Sequence, residues 1–153
     1  MTTINAYFSL GNGALGTDDE ALVFPGLTRS EFDHGFGQQT NVITSAPNFF
    51  LYGPVLVLLW EECFEIGIRF FKEAVDGVTL TLEHSRVAAL GYDAMEKDLL
   101  AEKKKLTTML TTNLSCLPSS TSLGADVFEF SWGGVVSRAD SKSTWCGIEI
   151  WYK

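Results

Sequence analysis

Only two histidines, His34 and His84, occur in this chain of 153 residues, and each follows directly on a carboxylate. Asp33-His34-Gly35 pairs an imidazole with an acid on a flexible stretch, the minimum a general base requires. Glu83-His84-Ser85 holds the residue types of a hydrolytic triad, but three consecutive residues at a strand end point in different directions and cannot form one by themselves. An exposed loop histidine accounts for either pattern without any chemistry. Glu61 and Glu65 would share a helical face, yet no histidine sits at the offset that a helix-borne metal pair uses. No CxxC, HExxH or calcium-loop motif is present, and the glycine-rich GNGALG is not placed like a phosphate-binding turn. The expectation is therefore no catalytic residue, no metal and no cofactor.

The cysteines point the same way. A nucleophilic thiolate needs a nearby base and access. Cys63 reads as a small core residue, Cys116 as a loop residue and Cys146 as inward-facing. Three thiols at no metal-like spacing, together with an opening MTTINAYFSL that lacks a basic start and an apolar segment, predict reduced cysteines in a cytoplasmic protein.

The residues with a clearer use are aromatic and acidic. Along 144–152, Trp145, Glu149 and Trp151 alternate with Cys146, Ile148 and Ile150, which puts two tryptophans and a carboxylate on one strand face, with Glu129 predicted beside them. Tryptophans next to carboxylates suit a protein-binding hot spot. The competing reading covers both tryptophans with a helix or the N-terminal segment.

Net charge supplies the global constraint. At −8 and a pI near 4.6, the surface repels nucleic acid and anionic membranes and favours fast association with a basic protein. Lys103-Lys104-Lys105 is the best basic patch, but it spans one helical turn among Glu96, Asp98 and Glu102 and reads as a solvated helix face. The apolar run 49–60 is 12 residues long, short of the ~20 that a membrane helix needs.

The elements that must position these residues read as one domain over 1–153, of class α+β, with a mainly antiparallel sheet packed against two longer helices. The first helix is predicted over 54–75, because Glu61, Glu62, Glu65, Arg69, Lys72 and Glu73 fall in one arc at 100° per residue. A strand over 55–60, with the helix starting at Glu61, is the alternative. The second helix is predicted over 94–112, capped by Asp93 and Glu96, with Met95, Leu99, Leu106, Met109 and Leu110 inward. Strands are expected at 4–10, 21–24, 41–46 and 78–82, then two C-terminal ones, the first continuing through a bulge at Gly133-Gly134. Thr28 and Glu31 resemble a capping box.

These features favour a non-enzymatic, acidic binding protein. Its most concrete form is an inhibitor or immunity protein that occupies the cationic site of a basic toxin or nuclease with Glu61, Glu65, Glu129, Trp145, Glu149 and Trp151. Two other classes remain open: a small enzyme or ligand-binding domain with a pocket near His34 or His84, and an oligomeric structural component pairing through its C-terminal strand.

Overall fold

The computed structural model describes residues 3–153, with Thr44 described by its backbone alone. Its N-terminal elements are β1 (Ile4–Asn5), β2 (Tyr7–Phe8), β3 (Leu15–Gly16), β4 (Ala21–Val23), α1 (Arg29–His34) and β5 (Asn41–Ala46). Three long strands follow: β6 (Phe49–Leu59), β7 (Glu62–Phe71) and β8 (Ala74–Leu82). The chain closes with α2 (Arg86–Leu90), α3 (Glu96–Leu114), β9 (Ser120–Thr121), β10 (Ala125–Phe130), β11 (Gly133–Asp140) and β12 (Trp145–Tyr152). The large sheet runs β1-β6-β7-β8-β12-β11-β10-β9, with β5 also on β6, and all its pairings but β1–β6 are antiparallel. A small sheet, β2-β3-β4, sits at the N-terminus. The class is α+β, as expected.

The helix expected over 54–75 is not there. That stretch is most of β6, all of β7 and the start of β8, so 55–60 takes the strand alternative within a longer strand. The reason lies in β7, where Phe64, Ile66, Ile68 and Phe70 are all at most 2% exposed, while Glu65 between them and Phe71 after them are exposed. That is a period of two. Glu65 and Arg69, four residues apart, satisfy an even period as well as a helical turn. Of the other charges, Glu62 opens β7, and Glu61, Lys72 and Glu73 belong to turns: Trp60 and Glu61 have φ of 53° and 64°, and Lys72 has 55°. Two successive left-handed residues make the hairpin turn whose twist matches its strands, here without the usual Asn-Gly. Pro54 falls where the β6–β7 register shifts and between the parts of β6 that pair with β5 and β1, so its missing N–H interrupts no regular ladder.

One face of the sheet carries the core. Leu99, Leu106, Leu110 and Leu114 of α3 are buried with Phe128, Val135, Ile148 and Ile150 of the strands beneath. From α1, Phe32 packs edge-on against Tyr52, 5.1 Å between centroids, and at a 45° tilt against Phe70, at 5.3 Å. Thr28 caps this helix as its sequence suggests, its Oγ1 accepting the Glu31 N–H while Glu31 accepts the Thr28 N–H. On α3 the cap moves: Asp98, not Glu96, accepts a backbone N–H, from Met95, and Met95 is 59% exposed rather than inward.

Other expectations shift too. The alternation over 4–10 is divided between two sheets, Ile4–Asn5 and Tyr7–Phe8. Gly133-Gly134 is not a bulge, because a turn at Ser131-Trp132 starts a separate strand, β11, and the C-terminus is a three-stranded meander. Lys103 is not solvated. It is 8% exposed, with its Nζ 3.0 Å from Asp126 Oδ2 and donating to the Ser122 carbonyl. Thr107 Oγ1 donates to the same carboxylate at 2.7 Å, and Ser137 completes the chain at 2.5 Å from Thr107. These bonds tie α3 to β10 and β11 through the core.

Removing one partner of a buried ion pair strands the other charge. Lys103→Met should therefore lower the unfolding free energy by roughly 3–5 kcal/mol, whereas Lys104→Met at the exposed neighbouring position should stay within about 0.5 kcal/mol. Urea titration followed by circular dichroism measures both.

Candidate functional site

All three helices and the small sheet lie on the core side, so that among the described residues no layer covers the opposite face of the large sheet. Strand register fixes which side chains that face carries. Arg69, Gly77, Trp151, Gly134 and Glu129 form one row across five strands, and Thr79, Glu149, Val136 and Val127 form the next. Glu65 pairs with Leu56 and Thr81 on the same face. The outward alternation expected for Trp145, Glu149 and Trp151 is observed, and no helix covers the tryptophans; each is half-buried.

Their burial comes from lying flat. A Cβ at Gly134 would stand 2.0 Å from the Trp151 ring, and one at Gly147 would stand 2.4 Å from the Trp145 ring. Each indole therefore rests on a glycine, a packing that replaces missing side-chain contacts in a sheet. Trp145 Nε1 also donates to Thr81 Oγ1 at 3.3 Å, which fixes the ring's direction. Arg69 lies over Gly77 in the same way, with Nη2 2.6 Å from a Cβ built there.

Between the rings sits a charge cluster. Glu149 accepts from Arg69 Nη1 at 3.3 Å and from Arg138 Nε at 2.9 Å. Arg69 also donates to Thr79 Oγ1 at 3.0 Å, and its Nε lies 3.4 Å from Asp76 without a hydrogen bond. Glu149 is thus neutralised within the chain and is not the free anion its sequence position suggested. Glu65 and Glu129 are exposed on the same face, and Glu61 projects from the turn at its end; none of the three joins an ion pair among the described residues. Arg69 and Arg138 were missed in the sequence. Arg138 opposite Gly147, beside Glu149, is a signal that appears only once β11 is recognised as a strand.

The histidines do not converge on anything. His34 ends α1, exposed, with Nδ1 2.7 Å from the Ser30 carbonyl. His84 has a 91% exposed side chain at the rim of an open cleft of about 250 Å³ that also takes in Arg86, Asp98, Glu102 and Lys105. Glu102 is already held there, accepting from Ser85 Oγ at 2.8 and 2.9 Å. GNGALG links β2 to β3 and opens no helix; its Gly13 packs beneath Trp132. Among the described residues, no three His, Cys, Asp or Glu side chains are grouped to hold a metal, and no helix is long and apolar enough to cross a membrane.

No family model matches the chain, and no curated protein does. Among solved structures, a chain in the structure of Rhs1-CT in complex with cognate immunity protein RhsI1 is similar, with a TM-score of 0.56 and 13% identity over 97% of this chain and 87% of that one. At that identity the likeness is one of fold.

The three thiols are all free. Cys63 is not a core residue: it faces outward from β7, half-buried, with burial and the nearby Glu83 raising its pKa. Cys146 is 1% exposed and its Sγ lies 3.7 Å from the Leu99 carbonyl. Burial, reinforced by Glu102, pushes its thiol from 9.0 to about 12. Tyr152, whose hydroxyl donates to the Gly13 carbonyl, is likewise raised by burial. A raised acid pKa keeps the neutral form in the folded state, so this contribution to stability is intact below pH 9 and is lost between 9 and about 12. Native protein treated with iodoacetamide at mildly alkaline pH should take label at Cys63 and Cys116 only. Mass spectrometry should find Cys146 labelled only after unfolding, and the unfolding midpoint should fall as pH rises above 9.

Proposed function

We propose that this chain is an immunity-type inhibitor: it binds a basic toxin domain, a nuclease being the concrete case, and covers that domain's cationic site without chemistry of its own. The observation that carries this reading is the uncovered, mainly acidic sheet face. Its strands present Glu65, Asp76, Glu129, Asp140 and Glu149 against Arg69 and Arg138, on a chain of net charge −8. A surface of this sign steers a cationic partner to it and discourages nucleic acid.

The fold supports the same reading, since a chain of similar architecture belongs to a toxin–immunity complex. That likeness alone fits either component. The sign of the charge and the open face favour the binder. Neutralising a toxin inside the producing cell makes the cytoplasm the place of action, and no cofactor enters the account. The cleft beside His84 is open, and the carboxylates at its edge are occupied, so the ligand-binding alternative draws less support.

The test pairs this chain with a basic toxin domain, sought among the genes beside its own. Co-expression should restore growth, and the association rate should fall steeply with salt. Glu65→Lys together with Glu129→Lys should slow association by roughly tenfold at low ionic strength. Growth that is not restored, or binding indifferent to salt, would contradict the proposal.

A further inference from the structure

Resting on that reading, we infer that the toxin-facing anchor is the Trp151–Trp145 pair held flat over glycine, with Glu65 and Glu129 as the engaging anions and Gly134 as the residue that positions Trp151. Glu149 serves this surface only from within.

Three observations lead there. First, the two arginines of the face are committed: Arg138 to Glu149, and Arg69 to Glu149 with Asp76 alongside. Among the described residues, the exposed acids of these strands that join no ion pair are then Glu65 and Glu129, while Asp140 is half-buried and accepts the Lys142 N–H; the surplus selects a cationic occupant by complementarity. Second, those anions flank the indoles: Glu129 shares a row with Trp151 across Gly134, and Glu65 pairs with Thr81, the hydroxyl that takes the Trp145 N–H. Large amphipathic rings ringed by carboxylates suit lysine and arginine side chains, whose stems lie on the ring while the charged ends reach the acids. Third, the rings are pre-set. An indole that already lies in its bound pose loses little freedom when a partner lands on it.

Gly134 isolates the third point. All three of the nearest atoms to a Cβ built there belong to the Trp151 ring, at 2.0, 2.3 and 2.6 Å, and its backbone is not in the left-handed region. Alanine is thus compatible with the strand but not with the flat ring. Gly147 does not separate the two effects, because its Cβ would also stand 2.7 Å from the Leu80 carbonyl.

The experiment uses the full chain and a purified basic toxin domain, sought among the genes beside its own and inactivated by substitution. Binding is measured by calorimetry for wild type, Gly134→Ala, Trp151→Ala and Glu96→Lys, an exposed change on the helix side. Urea titration checks that each variant folds. Expected are a loss of affinity of at least roughly tenfold for Gly134→Ala, a larger loss for Trp151→Ala and no more than about twofold for Glu96→Lys. If wild type binds and both Gly134→Ala and Trp151→Ala bind equally well, the anchor assignment is overturned while the immunity reading stands. If Trp151→Ala weakens binding but folded Gly134→Ala does not, the positioning role of Gly134 is overturned. If wild type does not bind the toxin domain, the reading and the inference fall together.

Discussion

The structure depends on one asymmetry: a sheet has two faces, and this chain supplies a cover for one. Along β7 the alternation is strict, with Phe64, Ile66, Ile68 and Phe70 turned to the core. Each such side chain contributes roughly 1.5–3 kcal/mol when fully buried, and a single long helix, α3, with the N-terminal segments is enough to close that side. The opposite face has to meet water or a partner with what the strands themselves carry. It does so by laying long side chains down over glycine and pairing most of its central charges.

The two charge clusters of the molecule show how differently the two faces are built. Lys103 and Asp126 meet inside, with Thr107 donating to the carboxylate and Ser137 bonded in turn to Thr107, so the buried charges are paired and hydrogen-bonded. Such a pair is weak evidence for net stability but a strong constraint on where α3 sits on the sheet. Glu149 between Arg69 and Arg138 lies at the other surface, partly in solvent, where screening weakens each contact. Its consequence is local. It fixes the arginines against the sheet and leaves Glu65 and Glu129 without an ion pair among the described residues.

Much of the ordinary architecture was legible. The Thr28–Glu31 cap, the helix before Pro118 and the two-sided alternation of 145–152 follow from local rules, and the structure reproduces them. The central stretch was not legible, because spacings of four suit both periods and its turns use Trp60-Glu61 and Lys72-Glu73 in place of glycine, asparagine or proline. Its outward positions also include Leu56, Leu58 and Phe71, which blur the polar half of the pattern. Among the candidate site residues, Trp145, Trp151, Glu65 and Glu129 share one face because register places them there, which alternation hinted at for the C-terminal strand alone. The neutralisation of Glu149 could not be read in sequence, since its partners come from strands 80 and 11 residues away.

The most direct measurement is hydroxyl-radical footprinting of the chain, free and bound to the basic toxin domain proposed as its partner. Tyr92, 94% exposed on the helix side, serves as the internal reference. The account predicts that oxidation of Trp145 and Trp151 drops in the complex while Tyr92 is unchanged. Protection of Tyr92 with both tryptophans as reactive as before would place the partner on the covered side and contradict it.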